Sequence, residues 1–190
     1  MVDNISAGLD VFTSNAFLVP GDRTVLVDAG ANYDAVSRIE DRVDGLDAVV
    51  LTHTHTDHVG NLADVKDAFS VDAWGFDTDQ PGVDHAIADG DTVDIGDFTY
   101  EALHTPGHKN DHLCFYSDAG TLFAGDLVFA NGGFGRTDLE EGDRDRLIES
   151  IEYVRDTVSS LDVMHCGHGP SVTQNPERHI EIALQSANTY

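Results

Sequence analysis

The stretch that most restricts this chain is Leu46-Asp47-Ala48-Val49-Val50-Leu51, followed at once by Thr52-His53-Thr54-His55-Thr56-Asp57-His58. The apolar part reads as a buried strand. Four potential metal ligands, His53, His55, Asp57 and His58, then fall within six residues. Imidazole and carboxylate together suit a divalent first-row metal, zinc above all. A fold that accepts this segment must bury the strand and present the ligands at its end. A purely structural role would need four polar groups packed there without a charge partner. The run therefore points to metal-dependent chemistry.

The flanking sequence supplies the rest of an α/β domain. Strands are expected at 17–19 and 24–27, separated by the turn Pro20-Gly21-Asp22, with a loop over 28–32. Asn32 or Asp34 is placed to cap a helix running to Val43, with Ala35, Val36, Ile39 and Val43 near helical spacing. A short helix is expected from His58 to Phe69 and a strand at 71–74. Further strands are expected at 98–103, 112–116, 121–124 and 162–165. Residues 143–158 read as an acidic amphipathic helix with Leu147, Ile148, Ile151, Val154 and Val158 on its apolar side. Pro176 opens a last helix, where its missing N–H does no harm. No linker, low-complexity segment or solenoid-type repeat is visible. Two sets of strands, each with helices, fit one four-layer α/β domain over 1–190.

Composition limits the partners. Hydrophobic residues make up 41 % of the 190, so a folded globular chain is expected. No apolar stretch approaches the roughly 18–20 residues of a membrane span. The N-terminus lacks the basic-then-apolar layout of a signal peptide, so a cytoplasmic location is expected. Cys114 and Cys166 form no C-x-x-C pair and read as core thiols. There are 35 Asp and Glu against 10 Lys and Arg, a formal net charge of -25, and Lys66 and Lys109 are the only lysines. Such self-repulsion strains a compact fold in dilute buffer. At 1 M salt the screening length falls to about 3 Å, so a halophilic host is the simplest expectation. The same field opposes a polyanionic substrate such as nucleic acid.

Three further residues join the opening run. His108 ends Thr105-Pro106-Gly107-His108, Asp126 ends Ala124-Gly125-Asp126, and His168 lies in Cys166-Gly167-His168-Gly169-Pro170. Each follows an expected strand in a glycine- or proline-bearing loop, where functional side chains are commonly presented. In this order, His53-Thr54-His55-Thr56-Asp57-His58, His108, Asp126 and His168 resemble the five-motif signature of the metallo-β-lactamase superfamily. Leu122 to Phe129 and Gly135-Arg136-Thr137-Asp138-Leu139 resemble its glyoxalase II-related branch.

That resemblance implies an αββα sandwich with two divalent metals at one edge, zinc foremost, iron or manganese as alternatives. His53, His55 and His108 would hold the first metal. Asp57, His58 and His168 would hold the second, and Asp126 would bridge both. Asp57 and Asp126 are thus the carboxylates placed at the reacting centre. Two metals about 3.5–4 Å apart can share a hydroxide formed near neutral pH. The activity implied is hydrolysis of a thioester or small ester on a small-molecule substrate. Glyoxalase II has an additional C-terminal helical domain that supplies glutathione contacts; this chain ends 22 residues past His168, which puts the usual glutathione recognition in doubt. A persulfide dioxygenase-like enzyme is an alternative, with one iron on His53, His108 and Asp126; so is a phosphodiesterase or nuclease. Cleavage of β-lactams fits less well, since a cysteine often takes the bridging position in that branch. Outside the motif, His104 and His112 are expected to orient a ligand rather than bind metal. His85, His165 and His179 read as surface or core. Arg136 either binds a substrate anion or ties down its own loop through Asp138 or Asp126.

Overall fold

The computed structural model describes residues 1–189 and divides into two compact units, 1–87 with 93–99, and 88–92 with 100 onward. The first unit carries a six-stranded sheet in chain order: β1 (Asp3–Asn4), β2 (Phe17–Val19), β3 (Val25–Val27), β4 (Ala48–Val50), β5 (Ala73–Gly75) and β6 (His85–Ala86). β1, β2 and β3 are antiparallel neighbours, and β3 to β6 run parallel. In this register Leu26 lies beside Val49, and Val49 beside Ala73. The three residues share one face, as the two-residue period of a strand requires.

That face is covered by α1 (Ala35–Glu40) and α3 (Leu62–Phe69), whose Ala35, Ile39, Leu62 and Val65 complete the core with Leu18, Leu26, Val49 and Ala73. Each fully buried Leu, Ile or Val contributes about 1.5–3 kcal/mol. Asp34 is the cap of α1: its carboxylate accepts from the Ser37 amide at 3.0 Å. The helix ends at Glu40, short of Val43, and the amides of Asp41, Arg42 and Val43 fold back as a turn onto Ser37 and Ile39 carbonyls. The single helix expected over 58–69 is instead two, α2 (Thr56–Val59) and α3. The break has a cause. Asn61, buried, donates its side-chain amide to the Ala29 carbonyl and its backbone N–H to Gly30, bonds that a continuous helix would forbid.

The second sheet has the order β11-β10-β9-β8-β7, formed by β7 (Thr92–Ile95), β8 (Phe98–His104), β9 (Leu113–Ser117), β10 (Thr121–Gly125) and β11 (Val163–Cys166). Its core joins Leu103, Tyr116, Leu122 and Met164 to two helices, α4 (Arg144–Thr157) and α5 (Pro176–Thr189). Of the expected α4 stripe, Leu147, Ile151 and Val154 are fully buried, with Ile148 and Val158 packed at the margin. Asp143 caps α4 by accepting from the Arg146 amide. β10 and β11 run parallel, with a bulge between Phe123 and Gly125 just before Asp126. Bulges re-aim the side chain that follows. The short strands β1, β6 and β7 and a 3-10 turn at 130–132 were not legible in the sequence. Among the described residues no helix is long and apolar enough to cross a membrane.

Candidate metal centre

In the first unit the ligand run leaves β4 in extended conformation, so His53 and His55 share a side, and the chain then turns into α2 at His55. The His53 ring lies 4.9 Å from that of His55 and 4.0 Å from that of His58. His58 Nε2 is 3.9 Å from Asp57 Oδ2. All four expected ligands from this stretch therefore converge.

Asp28 organises them. Its buried carboxylate accepts the Thr52 backbone N–H at 2.8 Å, the Thr52 hydroxyl at 2.7 Å and His58 Nδ1–H at 2.8 Å. The hydroxyl has one proton and gives it to Asp28. The oxygen of Thr52 must then accept from His53 Nδ1, 3.1 Å away. Both imidazoles are thereby fixed with the proton on Nδ1 and the lone pair on Nε2. A carboxylate behind a histidine in this way sets the tautomer of a metal ligand and raises its basicity. Sequence reasoning took Asp28 for a loop residue. Its backbone is left-handed, at φ 58°, and the only hint of a role was its place at the end of a strand.

The second unit repeats the logic. His108, buried, donates Nδ1–H to the Arg136 carbonyl at 2.8 Å. Its Nε2 lies 3.4 Å from Asp126 Oδ2, and His168 Nε2 lies 3.5 Å from the same oxygen. Two ligands at about 2.0–2.2 Å from a tetrahedral ion are separated by about 3.3–3.6 Å. Both separations match such an edge, and the shared oxygen suits a bridging carboxylate. These donors suit a divalent metal in atom type, and His53, His58 and His108 are held with the Nε2 lone pair available. The Gly167 amide bonds the Gly125 carbonyl at 2.7 Å, holding the His168 loop beside Asp126. Two glycines allow close backbone approach around His108. A Cβ on Gly135 would lie 2.1 Å from the Asp126 carbonyl, and one on Gly107 would lie 2.3 Å from the Leu147 amide.

His112 does not present a lone pair to a metal. Its Nε2 accepts the Asp126 backbone N–H at 3.0 Å, so the proton sits on Nδ1 and goes to Thr105 Oγ1 at 2.7 Å. Thr105 donates onward to Cys114 Sγ, and Cys114 donates to the Ala124 carbonyl. Burial pushes the Cys114 thiol up to about 12, which keeps the proton this chain needs. The relay braces the backbone on both sides of Gly125. His104 gives Nε2–H to the Asn110 carbonyl and ties the His108 loop.

The other expectations resolve simply. His85 pairs with Asp72 and packs its ring at a tilt against Trp74, and His179 accepts from the Asn131 amide. His165 is core: it stacks on Phe123, and burial lowers its pKa to about 4. Cys114 and Cys166 are buried thiols without a disulfide. Arg136 forms a two-pronged pair with Asp138 at 2.9 and 2.8 Å, the loop-tying role, and holds the Asp138 carboxyl at about 2.

The sequence matches the family described as the metallo-beta-lactamase superfamily over residues 9–85 and 74–175. It is 29 % identical to hydroxyacylglutathione hydrolase GloC of Haemophilus influenzae, covering 92 % of this chain and 94 % of that protein. A hydroxyacylglutathione hydrolase of Klebsiella pneumoniae is 35 % identical over 148 residues, which span 77 % of this chain and 57 % of that longer protein. Among solved structures, the BLEG-1 B3 metallo-beta-lactamase is similar with a TM-score of 0.76 at 28 % identity, over 91 % of this chain and 94 % of that one. The α/β fold with its two mixed sheets agrees with these matches, and the chain belongs to the metallo-β-lactamase superfamily.

Proposed function

We propose that this chain is a metal-dependent hydrolase of the glyoxalase II-like branch, acting on a thioester or small ester. Its two units work as one domain. Two divalent metals, zinc foremost, would be held by His53, His55 and His108, and by Asp57, His58 and His168, with Asp126 available to both. The observation that carries this reading is Asp126 Oδ2, set at co-ligand distance from both His108 and His168. Bound divalent metals supply the Lewis acidity that makes water nucleophilic near neutral pH and polarises an acyl carbonyl.

The protein's own residues prepare for that chemistry. Asp28, Thr52 and the Arg136 carbonyl keep the Nδ1 protons of His58, His53 and His108 in place, so Nε2 is always the donor atom. The His112 relay fixes the backbone of Asp126. Arg136 is the candidate anchor for a substrate carboxylate. Its pair with Asp138 is exposed on both sides, and exposed ion pairs are weak, so a substrate anion can exchange into it. The Haemophilus influenzae relative, matched over nearly its whole length, supports a glutathione thioester as the first substrate to assay. The acidic composition supports a salt-rich cytoplasm as the place of action.

Elemental analysis and thiol release from a 2-hydroxyacyl-glutathione thioester test this together, with a chromogenic β-lactam as the comparison substrate. Two equivalents of divalent metal and thioester turnover are expected, both lost in His55→Ala or Asp126→Ala. Full hydrolysis in either variant defeats the reading. One iron per chain with oxygen uptake on a persulfide replaces it with the oxidative one.

A further inference from the structure

We infer that Lys109 is a positioning residue for His108, a role that rests on the proposed metal centre. Lys66 and Lys109 are the chain's lysines, and each closes a loop through an ion pair. Lys66 holds Asp84 at 2.6 Å and the Gly82 carbonyl at 2.9 Å. Lys109 lies deeper. Its ammonium, with the side chain 6 % exposed, sits 2.8 Å from Glu141 Oε1 and 3.3 Å from the buried Asp111 Oδ1.

Lys109 directly follows His108, and Glu141 lies five residues past Arg136, whose carbonyl receives the His108 Nδ1 proton. The segment between Arg136 and Glu141 is closed by the Gly142 amide on the Leu139 carbonyl. Gly142 also packs against the Thr137 backbone, next to Arg136, so Glu141 and the acceptor that orients His108 lie in one closed turn. Lys109 Nζ and the Asn110 amide grip the two oxygens of Glu141, at 2.8 and 3.3 Å. Around that clamp, the Asp143 amide bonds the Gly107 carbonyl at 2.8 Å, and the Ser150 hydroxyl bonds the Pro106 carbonyl at 2.6 Å. Those two bonds fix the start of the ligand loop to α4. The lysine clamp fixes the far side, where the imidazole is aimed.

The pair is also placed to survive salt. An exposed contact such as Arg136–Asp138 is screened at high ionic strength, whereas a buried one is screened much less. In a chain of net charge -25, the buried lysine is the cation that still holds its loop when surface pairs have weakened.

The test is zinc binding to metal-free protein, resolved into two equivalents by chelator competition, for wild type, Lys109→Met, Lys109→Arg and Glu141→Ala. Lys109→Met weakens one equivalent about 10–100-fold and leaves the other unchanged, as loss of a group that orients a metal ligand does. Lys109→Arg restores most of the lost affinity, because the cation and its partners remain. Glu141, one third exposed, carries little folding risk, so Glu141→Ala decides the matter should Lys109→Met not fold; it weakens the same equivalent. Wild-type affinities for both equivalents in the variants overturn the role of Lys109 while the metal centre stands. Equal weakening of both equivalents also overturns it, as general loosening. A wild-type chain that takes up no zinc refutes the metal centre itself, and this role with it.

Discussion

Asp28→Asn is the substitution that tests how the ligands are prepared. The left-handed backbone at this position is one that asparagine tolerates well. The change therefore swaps one oxygen for an amide and little else. Asp28 accepts three hydrogen bonds, one on Oδ1 and two on Oδ2. An asparagine can satisfy this arrangement in neither orientation. With its NH2 toward His58, donor faces donor, and His58 must move its proton to Nε2. Thr52 then turns to accept from the amide and offers its hydroxyl proton to His53, which drives the same tautomer change there. Both imidazoles would lose the lone pair they present. With its NH2 toward the Thr52 backbone, a buried N–H is left unsatisfied, which costs about 1–3 kcal/mol.

The expected results follow from those two costs. Zinc affinity falls about 10–100-fold, or about 1.4–2.8 kcal/mol, the usual penalty for a lost partner behind a ligating histidine. That is the outcome of the first orientation; in the second it is the metal-free protein that loses about 2 kcal/mol, which for a chain of this size lowers Tm by about 4–8 °C. Chelator competition and calorimetry of the metal-free variant measure the two separately. A variant with wild-type zinc affinity and unchanged Tm would refute the tautomer argument. Weaker zinc binding without any loss of stability would show that the asparagine prefers the first orientation.

Three further outcomes are expected. His165 is held neutral, with its pKa lowered by burial to about 4 from 6.5. The unfolded chain takes up a proton below pH 6.5 that the folded one refuses, so stability falls as pH drops from 6.5 to 4. That loss is about 3 kcal/mol; His165→Phe should remove it from the acid limb of urea denaturation, and an identical acid limb in the variant would count against it. Thermal stability should rise between 0.1 and 1 M salt as self-repulsion is screened, and a flat or falling Tm would contradict a salt-adapted surface. Gly107→Ala places a Cβ 2.3 Å from the Leu147 amide at a φ of 128°, so a loss of about 3 kcal/mol or more is expected, and a variant within 1 kcal/mol of wild type in denaturant titration would show that α4 yields.

The parts of the site that were legible in the sequence are those whose geometry is local. His53, His55, Asp57 and His58 follow one strand and one helical turn, so their convergence needs only backbone periodicity. His108, Asp126 and His168 could be named because each ends a strand and because the set resembles a known signature. What lay hidden depends on chain segments that meet only in the folded state. Asp28 reaches across to Thr52 and His58, 24 and 30 residues away. His112 is expected from the sequence to orient a ligand, but Thr105 and Cys114 look like ordinary strand-end and core residues, and only the proton order the three share shows the brace under Asp126. The helix expected over 58–69 was misread for a related reason. The apolar spacing continues through Gly60, but Asn61 has a better partner in the Ala29–Gly30 loop.

The lysine clamps bear on how the molecule can be handled. Amine-directed reagents need an accessible amino group, and the Lys109 side chain is 6 % exposed against 20 % for Lys66. A dye, crosslinker or sensor chip coupled through lysine will therefore attach chiefly at Lys66, on α3, and will report on the first unit. Protection of Lys109 from labelling becomes a direct readout of whether its clamp is closed, obtainable by mass spectrometry without any substrate.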